Sequence, residues 1–446
     1  MKNECTVQQV CAFNVLTVIK RGKTGRNPIT AGGFVWIFAC NCERTEQGQT
    51  NDNELLTGNR DGGKMMKAKE IAEGIYWVGA IDWSVRSFHG YTTNRGATYN
   101  AYLIIDEKVT LIDTVKGPFA KELLERVSSV IDPAKIDYIV ANHVEMDHSG
   151  AIPVVMEACP NAQIITCAPS GVKGLTAHYG DYPYIAVKGG DSISLGKRSL
   201  SFVMTPMLHW PDNMVTYCPE EQILFSNDAF GQHYASPERF DEESDLSVIM
   251  QEAKKYYANI IMCYGKQAQT AWSIVHGLQL KMIAPSHGVI WKKNIKEILD
   301  AYQLWSANEP ETGAIVVFDS MWHSTEAMAK TIVESFIERG IPAKLYDLKE
   351  NHISDIIPEL LTTKYLAVGS PTLNNQMLPT VAAFLCYLKG LSPKHRKAFA
   401  FGSYGWGGQS IKQVEEELKA CGFEICMDAY RVQYIPHNDQ LKELSE

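Results

Sequence analysis

The sequence predicts an α/β protein in two parts, a sandwich of β-sheets covered by helices over residues 66–310 and a doubly wound parallel sheet over 311–446. Three observations carry this. Short apolar runs interleave with amphipathic stretches from residue 66 onward, five further apolar runs alternate regularly with helical stretches after residue 313, and the polar, turn-rich "NEPETGA" at 308–314 separates the two patterns. A chain of 446 residues is also too long for one core, so two or three are expected.

Residues 1–65 stand apart. They lack period-2 or period-3.6 patterning and contain the polar run "CERTEQGQTNDNELLTGNRDGGK". They read as an unstructured leader, or as upstream sequence translated ahead of a start at Met65 or Met66. The apolar stretch "ITAGGFVWIFACNC" is too short to span a bilayer, and Lys20, Arg21, Lys23 and Arg26 sit too far in for an ordinary lipoprotein signal.

In the first part, "ATYNAYLII" and "VTLIDTV" flank "DEK" as a hairpin, "AKELLERVSSVI" is a helix and "IDYIVANH" a strand. Further strands follow in "AQIITCA", "SLSFVMTPM", "MVTYCPEEQILFSND" and "LKMIAPSHG". In the second part the strands are "AIVVFDS", "PAKLYDL", "YLAVGSP", "KAFAFGSY" and "EICMDAYRV", and a sheet of this kind binds its ligand at the carboxyl ends of the strands.

Composition narrows the function. Hydrophobic content of 45% and charged content of 21% describe a soluble globular chain, and a formal charge of -9 argues against nucleic acid or anionic membrane as partner. Eleven cysteines without one C-x-x-C suit buried thiols in a cytoplasmic protein and exclude a built-in rubredoxin or zinc ribbon.

The stretch "ANHVEMDHSG" gathers His143, Glu145, Asp147 and His148 just past a strand, and an extended chain would turn positions 143, 145 and 147 to one side. His209 in "TPMLHWPDN", Asp228 in "ILFSNDAFG" and His287 in "APSHG" follow other strands. Any one of these has an ordinary explanation as a satisfied core or surface residue. Seven at strand mouths are costly to bury unless cations neutralise them, and a pair of divalent ions would do so.

The motif His143-x-Glu145-x-Asp147-His148 resembles the H-x-H-x-D-H signature of the metallo-β-lactamase fold, an αβ/βα sandwich, with Glu145 in place of the second histidine. Four imidazoles with three carboxylates suit iron better than an all-imidazole pocket does. With the second part, the pattern resembles the flavodiiron proteins over residues 66 to about 435. The resemblance implies one iron on His143, Glu145 and His209, a second on Asp147, His148 and His287, and Asp228 bridging. In some members the residue at the His148 position does not bind its iron. Phe88 and His89 in "SFHGYTT" resemble pocket-lining residues of the family, though a simple aromatic corner explains them equally well.

In the second part "FDSMWHSTEAMAK" joins a strand to a helix, and Ser320, Met321, Trp322, His323, Ser324 and Thr325 there offer hydroxyls and helix amides to a phosphate without the lysine of a nucleotide-triphosphate loop. This resembles the FMN loop of flavodoxins, with His323 where Gly is frequent. Pro371, Thr372, Leu373 and Asn374 fall at the next strand end and border the flavin ring edge. Ser403, Tyr404, Gly405, Trp406 and Gly407 fall at a third and supply flat faces between glycines.

Two electrons from an iron pair and two from reduced FMN match the four that take dioxygen to water, and nitric oxide going to nitrous oxide needs only two. The expected function is therefore an oxygen or nitric oxide reductase. Family resemblance implies a head-to-tail homodimer or a dimer of dimers, and a separate rubredoxin, reductase or reduced deazaflavin as electron donor. A binuclear metal hydrolase with a flavodoxin-like accessory domain is the first alternative, and an electron carrier with a degenerate metal fold the second.

Overall fold

The architecture is a computed structural model that describes residues 66–446, so the readings placed on residues 1–65 lie outside the described residues. Apolar alternation builds two facing sheets. The first has seven strands that lie side by side in chain order: Lys69–Ala72, Ile75–Trp77, Tyr102–Ile104, Thr110–Ile112, Tyr138–Val140, Gln163–Cys167 and Tyr184–Val187. The hairpin across "DEK" forms with Leu103 opposite Leu111, and the last four strands are parallel. The second sheet orders Ser192–Ser194, Ser199–Met204, Met214–Cys218, Ile223–Asn227 and Met282–Pro285, antiparallel except for the last pair.

Period-2 alternation decides which layer each residue joins. Tyr102, Ile104, Ile112, Val140 and Ile165 meet Phe202, Met214, Ile223 and Phe225 between the sheets. Leu103, Leu111, Ile139 and Ile164 point the other way, onto Leu123 and Val127 of the helix Ala120–Ser128 and Ile152 and Val155 of Ile152–Ala158. Val215, Leu224 and Ile283 face the helices of the opposite layer, among them Leu246–Tyr256. The order helix, sheet, sheet, helix follows from the alternation, and each aliphatic or aromatic side chain buried this way contributes roughly 1.5–3 kcal/mol.

Past residue 310, the strands Glu311–Phe318, Ala343–Asp347, Thr363–Gly369 and Lys397–Tyr404 are parallel in the order second, first, third, fourth. The expected fifth strand "EICMDAYRV" is broken into Glu424–Ile425 and Tyr430–Gln433, both beside Lys397–Tyr404. The expected joint at 308–314 is shorter than its polar composition suggests: a helix ends at Ala307, Asn308 takes a left-handed φ of 56°, and Glu311 is already in a strand. Tyr257, Ile261 and Met262 share one apolar cluster with Ile356, Ile357, Leu360 and Phe384, so the two parts pack as one body.

Candidate metal and flavin sites

The seven residues picked out at strand ends converge. His143 lies three residues past Val140, where Asp113 accepts hydrogen bonds from the Asn142 backbone and side-chain amides at 2.8 and 2.9 Å and fixes the turn. The extended chain expected over 143–147 stops at Glu145. A one-turn helix, Met146–Ser149, follows it, and Asp147 and His148 reach the pocket from that turn. His209 sits in the turn between Ser199–Met204 and Met214–Cys218. Asp228 directly follows Ile223–Asn227, and His287 is two residues past Met282–Pro285.

The donors form two groups, His143, Glu145, His209 and Asp228 in one and Asp147, His148 and His287 in the other. In the first, Glu145 Oε2 lies 3.3 Å from His143 Nε2 and 3.1 Å from His209 Nε2. In the second, Asp147 lies 3.4 Å from His148 Nε2 and 3.2 Å from His287 Nε2. Asp228 serves both: Oδ1 is 3.0 Å from His148 and 3.4 Å from His287, and Oδ2 is 3.4 Å from His209. Donors bound at ~2.0–2.2 Å around one ion stand roughly 3.0–3.5 Å apart, which is the spacing found here.

Electrostatics point the same way. All but His209 are buried, and both Asp147 oxygens, both His148 ring nitrogens and Asp228 Oδ2 meet no hydrogen-bond partner among the described residues. Burial opposes charge on the histidines, yet the surrounding carboxylates outweigh it. His287 is raised to about 10 by Asp147 and Asp228, His209 to about 9 by Asp228 and Glu145, and His143 well above its ordinary value by Asp212 and Glu145. Asp228, despite complete burial, is held well below the carboxylate range by His148, His209 and His287. A pocket that holds protons this firmly is one that metal cations fit.

Several contributors escaped the sequence reading. Asp212 Oδ2 accepts from His143 Nδ1 and from the Val144 amide, both at 2.8 Å, and His287 Nδ1 donates to the Thr98 carbonyl at 2.7 Å, so each ring turns Nε2 into the pocket. His148 lacks such a support, its Nδ1 meeting no partner. The Tyr256 hydroxyl donates to Asp228 Oδ1 at 2.8 Å. Asp212 could have been noticed as the acid in "HWPDN"; nothing local marks Tyr256.

Phe88 and His89 do line the mouth. His89 Nε2 lies 2.5 Å from Glu145 Oε1, and Phe88 packs against the rings of His89 and His233. They border a 350 Å³ cavity with Glu145, His209 and Trp210, closed on one side by Tyr387 and Leu391 from the second part of the chain.

Most of the residues expected to hold a flavin gather around a second cavity of 550 Å³, within the range that holds small ligands. Met321, Trp322, Ser324, Pro371, Thr372, Leu373, Asn374, Ser403, Tyr404, Gly405 and Trp406 line it, with Tyr434 and Ile435, which the sequence reading missed. Ser320, His323, Thr325 and Gly407 do not line it. His323 instead takes the left-handed turn at the helix start with φ 65°, the conformation that a glycine there would supply, and its ring pairs with Glu326 at 2.7 Å. Thr325 is buried and bonds Ser403 Oγ at 3.0 Å. The Ser320 hydroxyl is buried without a partner among the described residues, beside the start of Ser324–Glu338, so hydroxyls and helix amides are on hand for a phosphate. Tyr404, Trp322 and Trp406 offer flat surfaces, and the set fits FMN.

Comparison with known proteins covers both parts. Residues 97–288 match the ODP family beta lactamase model and residues 316–446 the flavodoxin model. The chain is 46% identical over 389 residues to a nitric oxide reductase of Moorella thermoacetica, covering 86% of this chain and 97% of that one. The structure of rubredoxin oxygen:oxidoreductase from Desulfovibrio gigas superposes with a TM-score of 0.82 at 42% identity, covering 85% of this chain and 96% of that one. The flavodiiron protein from Giardia intestinalis superposes with a TM-score of 0.82 at 35% identity over 86% and 95%.

Proposed function

The chain belongs to the flavodiiron proteins, and on that footing we propose that it passes electrons through FMN to a non-haem diiron site that reduces dioxygen to water, nitric oxide to nitrous oxide, or both. The observation that carries this reading is the division of seven convergent side chains into two groups that share Asp228. Residues 66–310 would hold the metals and 311–446 the flavin. His143, Glu145 and His209 would bind one iron and Asp147, His148 and His287 the other, with Asp228 between. Bound there, the iron pair would supply electrons to a small diatomic gas.

The chain's own residues do the rest. Three carboxylates offset the charge of oxidised iron, and Asp212, Thr98 and Tyr256 hold the donors in place. Phe88, Tyr91 and Trp210 give the mouth flat walls that admit a diatomic molecule, and His89 can hold a proton at Nε2 beside Glu145. The Moorella and Desulfovibrio relatives are oxidoreductases by name, which removes the support for the hydrolase alternative.

Electron delivery completes the reading. Trp322 and Trp406 are 86% and 91% exposed at the rim of the flavin cavity, aromatic surface that a second copy would cover in a head-to-tail homodimer or a dimer of such dimers. A separate rubredoxin or reductase would feed the flavin; the Desulfovibrio relative is named for rubredoxin. We place the protein in the cytoplasm, and no helix among the described residues is long and apolar enough to cross a membrane.

The test is anaerobic reduction of the purified protein followed by stopped-flow mixing with oxygen or nitric oxide, monitored by flavin absorbance. Rapid reoxidation by at least one gas is expected, with an iron pair per chain. A colourless preparation containing only zinc, or a reduced flavin indifferent to both gases, contradicts it.

A further inference from the structure

Apart from the metal and flavin pockets, a cleft of 440 Å³ opens where Trp77, Arg126, Arg239, Lys67 and Lys69 meet. Three segments distant in sequence bring these side chains together: the hairpin of Lys69–Ala72 and Ile75–Trp77 with Lys67 just ahead of it, the helix Ala120–Ser128, and the loop that precedes Asp241. Arg239 is only 4% exposed, and its Cζ lies 4.3 Å from the Trp77 ring centre. Its Nε donates to the Pro237 carbonyl at 3.3 Å and Nη2 to the Ser236 carbonyl, but Nη1 has no partner among the described residues. Arg126 stacks on the same indole at 4.8 Å; its Nη1 donates to the Lys67 carbonyl at 2.9 Å, and its Nε also lacks a partner among the described residues.

Two guanidiniums on one ring repel each other, and a buried one without a carboxylate partner is unfavourable. The two acids that line the cleft are already engaged. Glu238 accepts from the Ser236 hydroxyl, and Glu243 accepts from the backbone amides of Arg239 and Phe240 at 3.0 and 3.1 Å. Among the described residues Arg126 has only Glu122, at 3.8 Å, and neither Lys67 nor Lys69 makes an ion pair. The cleft therefore presents four cations against two acids, while the uncommitted N–H groups of both arginines lie beneath its surface, so what it offers a ligand is their positive charge.

We propose that this cleft is a binding site for a phosphate group, separate from the flavin phosphate loop. Guanidinium and ammonium groups form charge-assisted contacts with phosphate oxygens, and paired arginines flanked by lysines favour a dianion over a monoanion. The cleft has room for an organic phosphate as well as the free ion, which share this chemistry.

Calorimetric titration of the FMN- and iron-loaded full chain, once with inorganic phosphate and once with ADP, tests the assignment. Saturable one-to-one binding that weakens with added NaCl is expected, with R126Q lowering affinity at least tenfold and R239M abolishing binding. Tighter binding of ADP identifies an organic phosphate, and binding of phosphate alone identifies the free ion. R126Q alters a side chain that is 13% exposed, less enclosed than Arg239, and keeps the test decisive if R239M fails to fold, with unchanged flavin and iron content as the check. No saturable heat with either probe, or wild-type affinity in R126Q, overturns the proposal.

Discussion

Asp212 lines neither the cavity at the metal pocket's mouth nor the candidate flavin cavity, yet its carboxylate, held by the Val144 amide at 2.8 Å, sets both the tautomer and the orientation of His143 through a 2.8 Å hydrogen bond. Outer groups of this type are typically worth about 10–100-fold in metal affinity. Asp212→Ala is expected to weaken iron binding by that order, read by competition with a chromogenic chelator, while Asp212→Asn, which keeps an acceptor oxygen, loses less. Acid–base behaviour follows from the same pocket. Histidines raised to about 9 and about 10 stabilise the chelator-treated protein fully below their ordinary value and cease to do so as pH rises through 9 to 10. Asp147 and Asp228, both lowered, stabilise it above the ordinary carboxylate value and cease to do so as pH falls. The melting temperature of chelator-treated protein should therefore fall on the alkaline side, and reloading with ferrous iron should remove that fall because the cation replaces the protons. A flat profile for the treated protein through the same range contradicts this.

Strand ends carry the site, and their support shows what a sequence can and cannot reveal. The wholly buried Asn100 accepts from Trp77 Nε1 at 2.8 Å and donates to the carbonyls of Pro285 and Gly288 at 2.8 and 3.0 Å, bracketing His287. Asn100→Leu would strand three buried polar groups at roughly 1–3 kcal/mol each. A loss of about 3 kcal/mol or more is expected in denaturant titration, with a fall in bound iron. Nothing in "TYNAY" announces this role, because the partners are 23 and about 185 residues away. His143, Glu145, Asp147 and His148 were legible because one turn supplies them all, and the strands before them because burial on both faces makes continuous apolar runs. Legibility failed where pairing decides. Lys397–Tyr404 pairs Ala398 with Ile425 and Phe401 with Tyr430, so four residues (426–429) face two (399–400) and the last strand breaks. Its apolar pattern runs on through "CMDAY" and conceals the break.

At the scale of the molecule, the flavodoxin-like part reaches the metal pocket of its own chain through side chains and not only through the shared core. The hairpin formed by Ser87–Phe88 and Tyr91–Thr92 carries His89 at its tip, 2.5 Å from Glu145. Its other end is clamped. Lys255 Nζ donates to Thr92 Oγ1 at 2.7 Å and to Asp355 at 2.5 Å, and the Thr92 amide donates to Ser354 Oγ at 3.1 Å. Asn259, in the π-helical turn after Leu246–Tyr256, donates to the Ser354 carbonyl at 3.0 Å and accepts from the Tyr387 hydroxyl at 2.8 Å. The short helix Ile353–Ile356 thus decides where the hairpin rests, and the hairpin decides where His89 meets Glu145. Asp355 is partly exposed, so its removal should cost only about 1 kcal/mol and leave the global melting temperature nearly unchanged. Locally the effect is larger in proportion, because the hairpin has just two short strands of its own. Asp355→Ala and Thr92→Val are each expected to speed amide exchange several-fold over residues 87–92 while the strands Ile223–Asn227 and Met282–Pro285 keep their protection; unchanged exchange at the hairpin in both variants would show that the clamp does not hold it.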